Sequence, residues 1–394
     1  PWDMNISVVC DVLGSGNNGT SVAAGELIKA MKKRGHRVNV ICCDEEQIGR
    51  EGYYVLPQRS FGPFNGYVKK AGVSLARPVD YMLRAGIRNA DVVHCMLPFR
   101  LSRRAITIAR ECGIPVTAGF HCQAENFSNY LFMKKSALFN RMIYMRYYRT
   151  VFSRVDCVHY PSQFIRDEFE RATHATAGRV ISNGVGADFT RTDVARPNSF
   201  KGRFVILSTG RYSREKCHDV LIRAVGRSAY RDDIALVIAG EGSLEGRYRE
   251  IAARERVDLR LGFVARKDMP SLVCSADLYV HPADAELEGI ACLEAMKCGR
   301  TIVVSDSAKS ATRTFAADGR GIFKTGSAAD LARRIDYWIE HPSEREKTGE
   351  YYASCDKVRD RDACMDEMER MFADVIRDHA REATDEAARQ LLYR

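Results

Sequence analysis

The chain has 394 residues, more than one hydrophobic core usually organises, which points to two α/β domains of about 180 residues each. No apolar run approaches the roughly 18 residues that span a bilayer, and the 13 cysteines are odd in number, scattered and never spaced C-x-x-C, which argues against a disulfide scaffold or zinc knuckle and for buried free thiols. The net charge of +9 is lodged in the first half, where residues 1–190 hold 25 Lys+Arg against 16 Asp+Glu while residues 191–394 hold 35 of each, so the first half is expected to meet an anionic surface or substrate, membrane lipid or nucleic acid.

In chain order, short β-branched runs alternate with helical stretches. Asn5 to Leu13, Arg37 to Cys43, Asp91 to Met96, Pro115 to His121 and Cys157 to Ser162 read as strands. Pro1 to Asp3 precede this series and stay outside the fold reading; the N-terminal stretch lacks the order of a secretory signal, and the chain reads as cytosolic. The runs are near-continuously apolar, as strands of a parallel sheet covered on both faces are. Residues 187–203, with Pro197, Asn198, Ser199 and Gly202, read as a linker. Beyond it Phe204 to Thr209, Ile234 to Ala239, Leu259 to Val264, Leu278 to Ala283 and Thr301 to Asp306 repeat the βαβ rhythm. The expected fold is therefore α/β, two doubly wound domains over residues 4–190 and 200–365, with a helical segment over 366–394. The tail from about Asp362 to Leu392 lacks Gly and Pro and reads as helix with a break near His379.

The strongest motif runs from Glu286 to Met296 and passes from a strand through Gly289 into a helix. Backbone N–H groups near Gly289, Ile290 and Ala291 would face an anion, and the helix dipole favours a diphosphate there. Glu294, one to two turns in, can accept both hydroxyls of a ribose, while Glu286 stays in the loop within reach of a sugar ring. An acidic surface helix is the plainer reading of two isolated glutamates; the strand-loop-helix context favours the site. A second motif, Gly210 to Lys216, follows the strand Phe204 to Thr209. Gly210 permits close backbone approach, Arg211 can fork phosphate oxygens, and Lys216 adds a point charge against a departing diphosphate. Taken without the glutamates, these cations read as solvated loop residues.

These two motifs resemble those of the retaining glycosyltransferases of GT-B fold, the group 1, family 4 type with two glutamates eight positions apart. The resemblance extends to Gly14 to Thr20, to Asn183-Gly184-Val185, to Gly240-Glu241-Gly242 and to Gly262-Phe263-Val264, the last of which approaches the nucleotide base in that family. It implies two Rossmann-like domains facing across a cleft, an enzyme that transfers a hexose from a nucleotide sugar, and a donor site of Gly16, Gly210, Arg211, Lys216, Gly242, Val264, Glu286, Gly289, Ile290, Ala291 and Glu294. His121, at the end of a strand-like run, matches a family histidine that contacts the transferred sugar, and joins Glu286, Arg211 and Lys216 as a catalytic candidate; His94 and Glu125 are of the same kind. A UDP-hexose is the expected donor and no metal is required, the two cations and the helix start taking its part. Glu288 stands where the family usually has Phe, as a hydroxyl reader or a solvent-facing group, and Thr301 where it often has Pro.

The basic bias concentrates between Tyr130 and Arg154, with no acidic residue. At ~100° per residue Lys134, Lys135, Arg141, Arg146 and Arg149 share an arc of about 140° with Leu131, Leu138 and Met142 between them. Such a helix suits an anionic leaflet, with a solvated basic face or a charged acceptor groove as the other readings. The segment Phe120 to Tyr130 is similar to that of bacterial diacylglycerol glycosyltransferases. The resulting expectation is transfer to a membrane lipid at the cytosolic face by a peripheral enzyme. A soluble or lipid-linked glycan acceptor, a nucleotide-sugar epimerase, and a non-catalytic nucleic-acid binder are the alternatives; nucleic acid is not the expected partner, since it leaves the glutamate motif unexplained.

Overall fold

The computed structural model describes residues 3–11, 13, 19–60, 62, 74–124 and 136–392, with side chains to residue 385. Two compact units form, one from Pro1–Asn183 with Asp362–Arg394, the other from Gly184–Arg361. Each holds one all-parallel sheet.

In the first unit the strands are β1 (Asn5–Val9), β2 (Arg37–Cys42), β3 (Tyr53–Val55), β4 (Val92–Cys95), β5 (Val116–Gly119), β6 (Cys157–Tyr160) and β7 (Gly178–Val180), in the order β3-β2-β1-β4-β5-β6-β7. Every residue of β4, β5 and β6 is buried, and apart from His94, Thr117 and His159 their sequences run apolar without alternation. In the second unit β8 (Phe204–Thr209), β9 (Ile234–Ala239), β10 (Leu259–Gly262), β11 (Leu278–His281), β12 (Ile302–Ser305) and β13 (Ile322–Phe323) lie in the order β10-β9-β8-β11-β12-β13. In both sheets the strand order reverses beside the first strand, at β1/β4 and at β8/β11. In α/β proteins ligands bind outside the carboxyl ends of the strands at such a reversal.

β8 and β9 end where the sequence runs do, the other expected strands are shorter at their ends, and three were missed: β3, β7 and β13. All three are edge strands of two or three residues, mostly half-buried, so they carry little apolar signal. The segment 187–203 is not a free linker, since Phe189 and Phe200 are buried in a core of the second unit with Val205, Tyr279 and Met296. The terminal helix Arg361–Leu392 passes His379 without the expected break. Cys364, Met365, Met368, Met371, Phe372 and Val375 recur at helical spacing and join the core of the first unit beside Met4, Ile28 and Met96. Arg34 pairs with Asp366 at 2.5 Å and Arg179 with Asp374 at 2.8 Å along the same helix. All 13 cysteines are free and ten are buried.

Candidate active site

In the second unit the two motifs meet at the β8/β11 reversal. Gly210 leaves β8, and the loop turns so that Lys216 lies back toward it. Lys216 Nζ donates to Glu286 Oε2 at 2.5 Å. The same oxygen is 3.1 Å from Nε2 of His281, the last residue of β11. Burial pushes the Glu286 carboxyl up, but the Lys216 ammonium and the His281 ring outweigh it, and the group is held well below the usual carboxylate range. An ionised carboxylate only accepts, so the His281 proton sits on Nε2; burial keeps that ring neutral and lowers its pKa.

Arg211 stands on the same loop, about a third exposed, with Nη2 3.4 Å from Glu215 Oε1. Glu215 is buried and also accepts from Ser213 Oγ at 2.6 Å. Tyr212 anchors the loop from below. Its Oη donates to Ile238 O at 2.7 Å and accepts from Gly262 N at 2.9 Å, and its own N–H donates to Glu241 O at 2.9 Å. Gly242 packs against it so closely that a Cβ there would stand 2.7 Å from Tyr212 O.

Beyond β11, Gly289 caps the helix Ile290–Lys297 with φ +80°, a conformation that excludes most side chains. Cys292 N is the first amide bonded back to Gly289 O, so Ile290 and Ala291 are helix-start N–H groups without an intrahelical acceptor. Glu294 is buried one turn on and accepts from Arg266 Nη2 at 2.5 Å. Burial pushes its carboxyl up despite Arg266. Arg266 follows β10 and Val264, and its guanidinium lies 4.6 Å over the Phe189 ring. Glu288 is buried, which removes the solvent-facing reading; Thr301 donates to Arg345 O at 2.6 Å.

The structure thus brings Lys216 and Glu286 into contact and gathers Gly210, Arg211, Gly242, Gly289, Ile290, Ala291 and Glu294 on the loops and helix start of one sheet. His121 belongs to the first unit, where it does not stand at the surface. Its ring is buried beside His159, 5.6 Å between centroids, and His159 is 6.3 Å from His94. Among the described residues His94 Nε2, His121 Nε2 and His159 Nδ1 have no hydrogen-bond partner, and the pocket between them, closed by Leu27, Met365 and Met368, has room for about one water molecule. Burial lowers all three, His121 to about 3 and His159 to about 4. Among the described residues no group of three His, Cys, Asp or Glu can hold a metal ion. Gly16, Glu125, Lys134 and Lys135 lie outside the described residues.

Sequence reasoning did not single out His281, Glu215, Tyr212 or Arg266. His281 ends a strand at the reversal, the same signal that drew notice to His121. Glu215 lay inside the quoted loop but gave no sign of being buried.

The basic segment forms the helix Ala137–Thr150, capped by Ser136, whose Oγ accepts from Phe139 N at 3.2 Å. Asn140, Tyr144 and Tyr147 face inward, whereas Leu138 is 71% and Met142 58% exposed beside the exposed Arg141, Arg146 and Arg149. Arg103, on the helix Arg100–Glu111, stands close enough to Arg146 and to Arg100 for their charges to act on it. No helix of the described residues is long and apolar enough to cross a membrane.

A family model described as glycosyl transferases group 1 matches residues 189–354, and one described as glycosyltransferase family 4 matches residues 17–189. The alpha-monoglucosyldiacylglycerol synthase of Streptococcus pneumoniae is 24% identical over 320 residues, 76% of this chain and 70% of that protein. A GDP-mannose-dependent alpha-(1-6)-phosphatidylinositol dimannoside mannosyltransferase of Mycobacterium tuberculosis is 29% identical over 205 residues, 50% of this chain and 52% of its own length. Among solved structures, HepE of Anabaena in complex with UDP and glucose shares the fold, with a TM-score of 0.72 and 17% identity over 94% of this chain and 100% of that one.

Proposed function

Since this chain belongs to the GT-B glycosyltransferases that join a family 4 domain to a group 1 domain, we propose that it is a retaining enzyme moving a hexose from a nucleotide sugar to a diacylglycerol-like membrane lipid. The observation that carries the donor half is the contact of Lys216 with Glu286 at the β8/β11 reversal. Lys216 and Arg211 take the charge of the departing diphosphate, the helix start at Ile290 and Ala291 cradles it, Glu294 holds the ribose, and Glu286 orients the hexose. The acceptor hydroxyl attacks the anomeric carbon from the side of the leaving group. As the C–O bond to the diphosphate breaks, the hydroxyl proton passes to the leaving phosphate oxygen, and configuration is retained. No divalent ion is needed in this scheme.

A UDP-hexose is the donor favoured here, supported by the UDP and glucose bound to a protein of the same fold; the mannosyltransferase relative, named for GDP-mannose, makes the guanine nucleotide the second choice. For the acceptor, the support is the name of the Streptococcus pneumoniae relative together with the exposed Leu138 and Met142 among arginines. On an anionic leaflet each such arginine contributes about 1 kcal/mol. The enzyme then works peripherally at the cytosolic face of the membrane. Incubation with UDP-, GDP- and ADP-hexoses, with and without diacylglycerol vesicles, tests both halves. Glycolipid formed from one donor is expected; an epimerised donor without any acceptor would overturn the transfer reading.

A further inference from the structure

Glu286 is served by two donors on one oxygen, and only one of them is fixed. Lys216 carries its ammonium on a flexible four-carbon stem, and the proposed reaction draws that same ammonium toward a diphosphate. His281 has no such freedom. Its ring is 2% exposed, ends β11, and lies parallel to Tyr279 with centroids 6.2 Å apart and an interplanar angle of 19°. Among the described residues its Nδ1 has no partner, so the ring's one hydrogen bond there is that to Glu286 Oε2. Among the described residues no hydrogen bond is formed by Glu286 Oε1, which leaves that oxygen to meet a hydroxyl of the donor. We propose that His281 is a positioning residue, which holds the Glu286 carboxylate in place for the hexose once Lys216 turns to the phosphates. The inference rests on the donor-site reading above.

The proposal separates hexose recognition from nucleotide recognition, and the test reads that separation. Affinities are measured by calorimetry for UDP against UDP-glucose and for GDP against GDP-mannose. The wild-type protein is compared with His281→Leu, His281→Gln, His281→Asn and Glu286→Ala. Leu removes the donor at similar bulk; Gln places an amide nitrogen near the position of Nε2, and Asn places its own near Nδ1. His281→Leu and His281→Asn are expected to bind the nucleoside diphosphate within about twofold of wild type but the sugar nucleotide about tenfold more weakly. His281→Gln is expected to restore most of the loss, and His281→Leu added to Glu286→Ala to cost nothing further. An equal loss for nucleotide and sugar nucleotide, or equal behaviour of Gln and Asn, overturns the positioning role. Should Glu286→Ala lose the hexose increment while His281→Leu keeps it, the positioning role falls and the donor site stands. Should Glu286→Ala change nothing, or neither pair bind the wild-type protein, the donor-site reading falls and takes this inference with it.

Discussion

Lys216 and Glu286 lie 70 positions apart in the chain and meet across 2.5 Å, joining the loop after β8 to the loop after β11. In the proposed function this pair is the pivot of the donor site. Replacing Lys216 with Met should lower the turnover of a nucleotide sugar by about 10²- to 10³-fold, the scale of losing one preorganised group at a developing charge. Steady-state kinetics at saturating donor checks this, with the melting temperature as the control for folding. A variant that melts as wild type and turns over within threefold of it would remove Lys216 from the chemistry.

Glu294 makes a different prediction, because the proposal assigns it to the nucleoside rather than the hexose. Glu294→Ala should weaken binding of the nucleoside diphosphate itself by about 1.5–3 kcal/mol, the range for hydrogen bonds to a charged group. UDP titration followed by calorimetry reads the effect. Loss confined to the sugar nucleotide would instead move Glu294 to the hexose.

The helix Ala137–Thr150 predicts a membrane phenotype. Replacing Arg141, Arg146 and Arg149 together by Ala should weaken partitioning onto anionic vesicles by about 100-fold, at about 1 kcal/mol for each charge. Leu138→Asp with Met142→Asp should remove the apolar component that survives high salt. Sedimentation with neutral and with anionic liposomes measures both. Equal pelleting on the two kinds of vesicle, untouched by the substitutions, would leave this helix a solvated face.

The terminal helix is part of the first unit's core. Phe372 is fully buried and meets the His94 ring edge-on, 5.3 Å between centroids. Phe372→Ala should therefore destabilise the protein by about 3–5 kcal/mol. Chemical denaturation should show the loss. A shift under 1 kcal/mol would mean that the helix is dispensable to that core.

Acid should destabilise the protein well before its carboxylates are protonated. His94, His121, His159, His218 and His281 are all buried and all lowered, His218 to about 3. Below the unfolded value of about 6.5 the unfolded chain takes up protons that the folded chain refuses. Stability is thus fully present above that pH and falls as the pH drops toward 4, by up to about 1.4 kcal/mol per pH unit for each histidine. Asp11, raised by burial to about 6, and Glu294, also raised, act in the opposite sense and offset part of this. The melting temperature should drop between pH 7.5 and 5.5; a rise would contradict the neutral state of the cluster.

The glutamate motif was legible as a strand-loop-helix passage because it is local. Glu286, Gly289 and Glu294 sit on one strand-loop-helix passage, and a helix start has the same electrostatics wherever it occurs. The two sheets were legible for a related reason, since a fully buried parallel strand such as β9 runs apolar from end to end. The edge strands escaped, being too short and too exposed to leave a pattern. Side-chain direction escaped as well. Nothing in the run Phe120 to Phe127 says that the His121 ring turns inward to His159, or that Glu288 is buried. Partners distant in the chain were the hardest: Arg266 reaches Glu294 from 28 positions away, and Tyr212 reaches Gly262 from 50.

The Tyr212 staple bears on how the proposed donor site can change. Its phenol and backbone tie together the turns that follow β8, β9 and β10, so none of the three can shift without dragging the others. An engineer wishing to alter the accepted nucleotide would gain little by grafting a single foreign loop. The transplantable module is the three turns with their tyrosine and facing glycine, exchanged as one cassette.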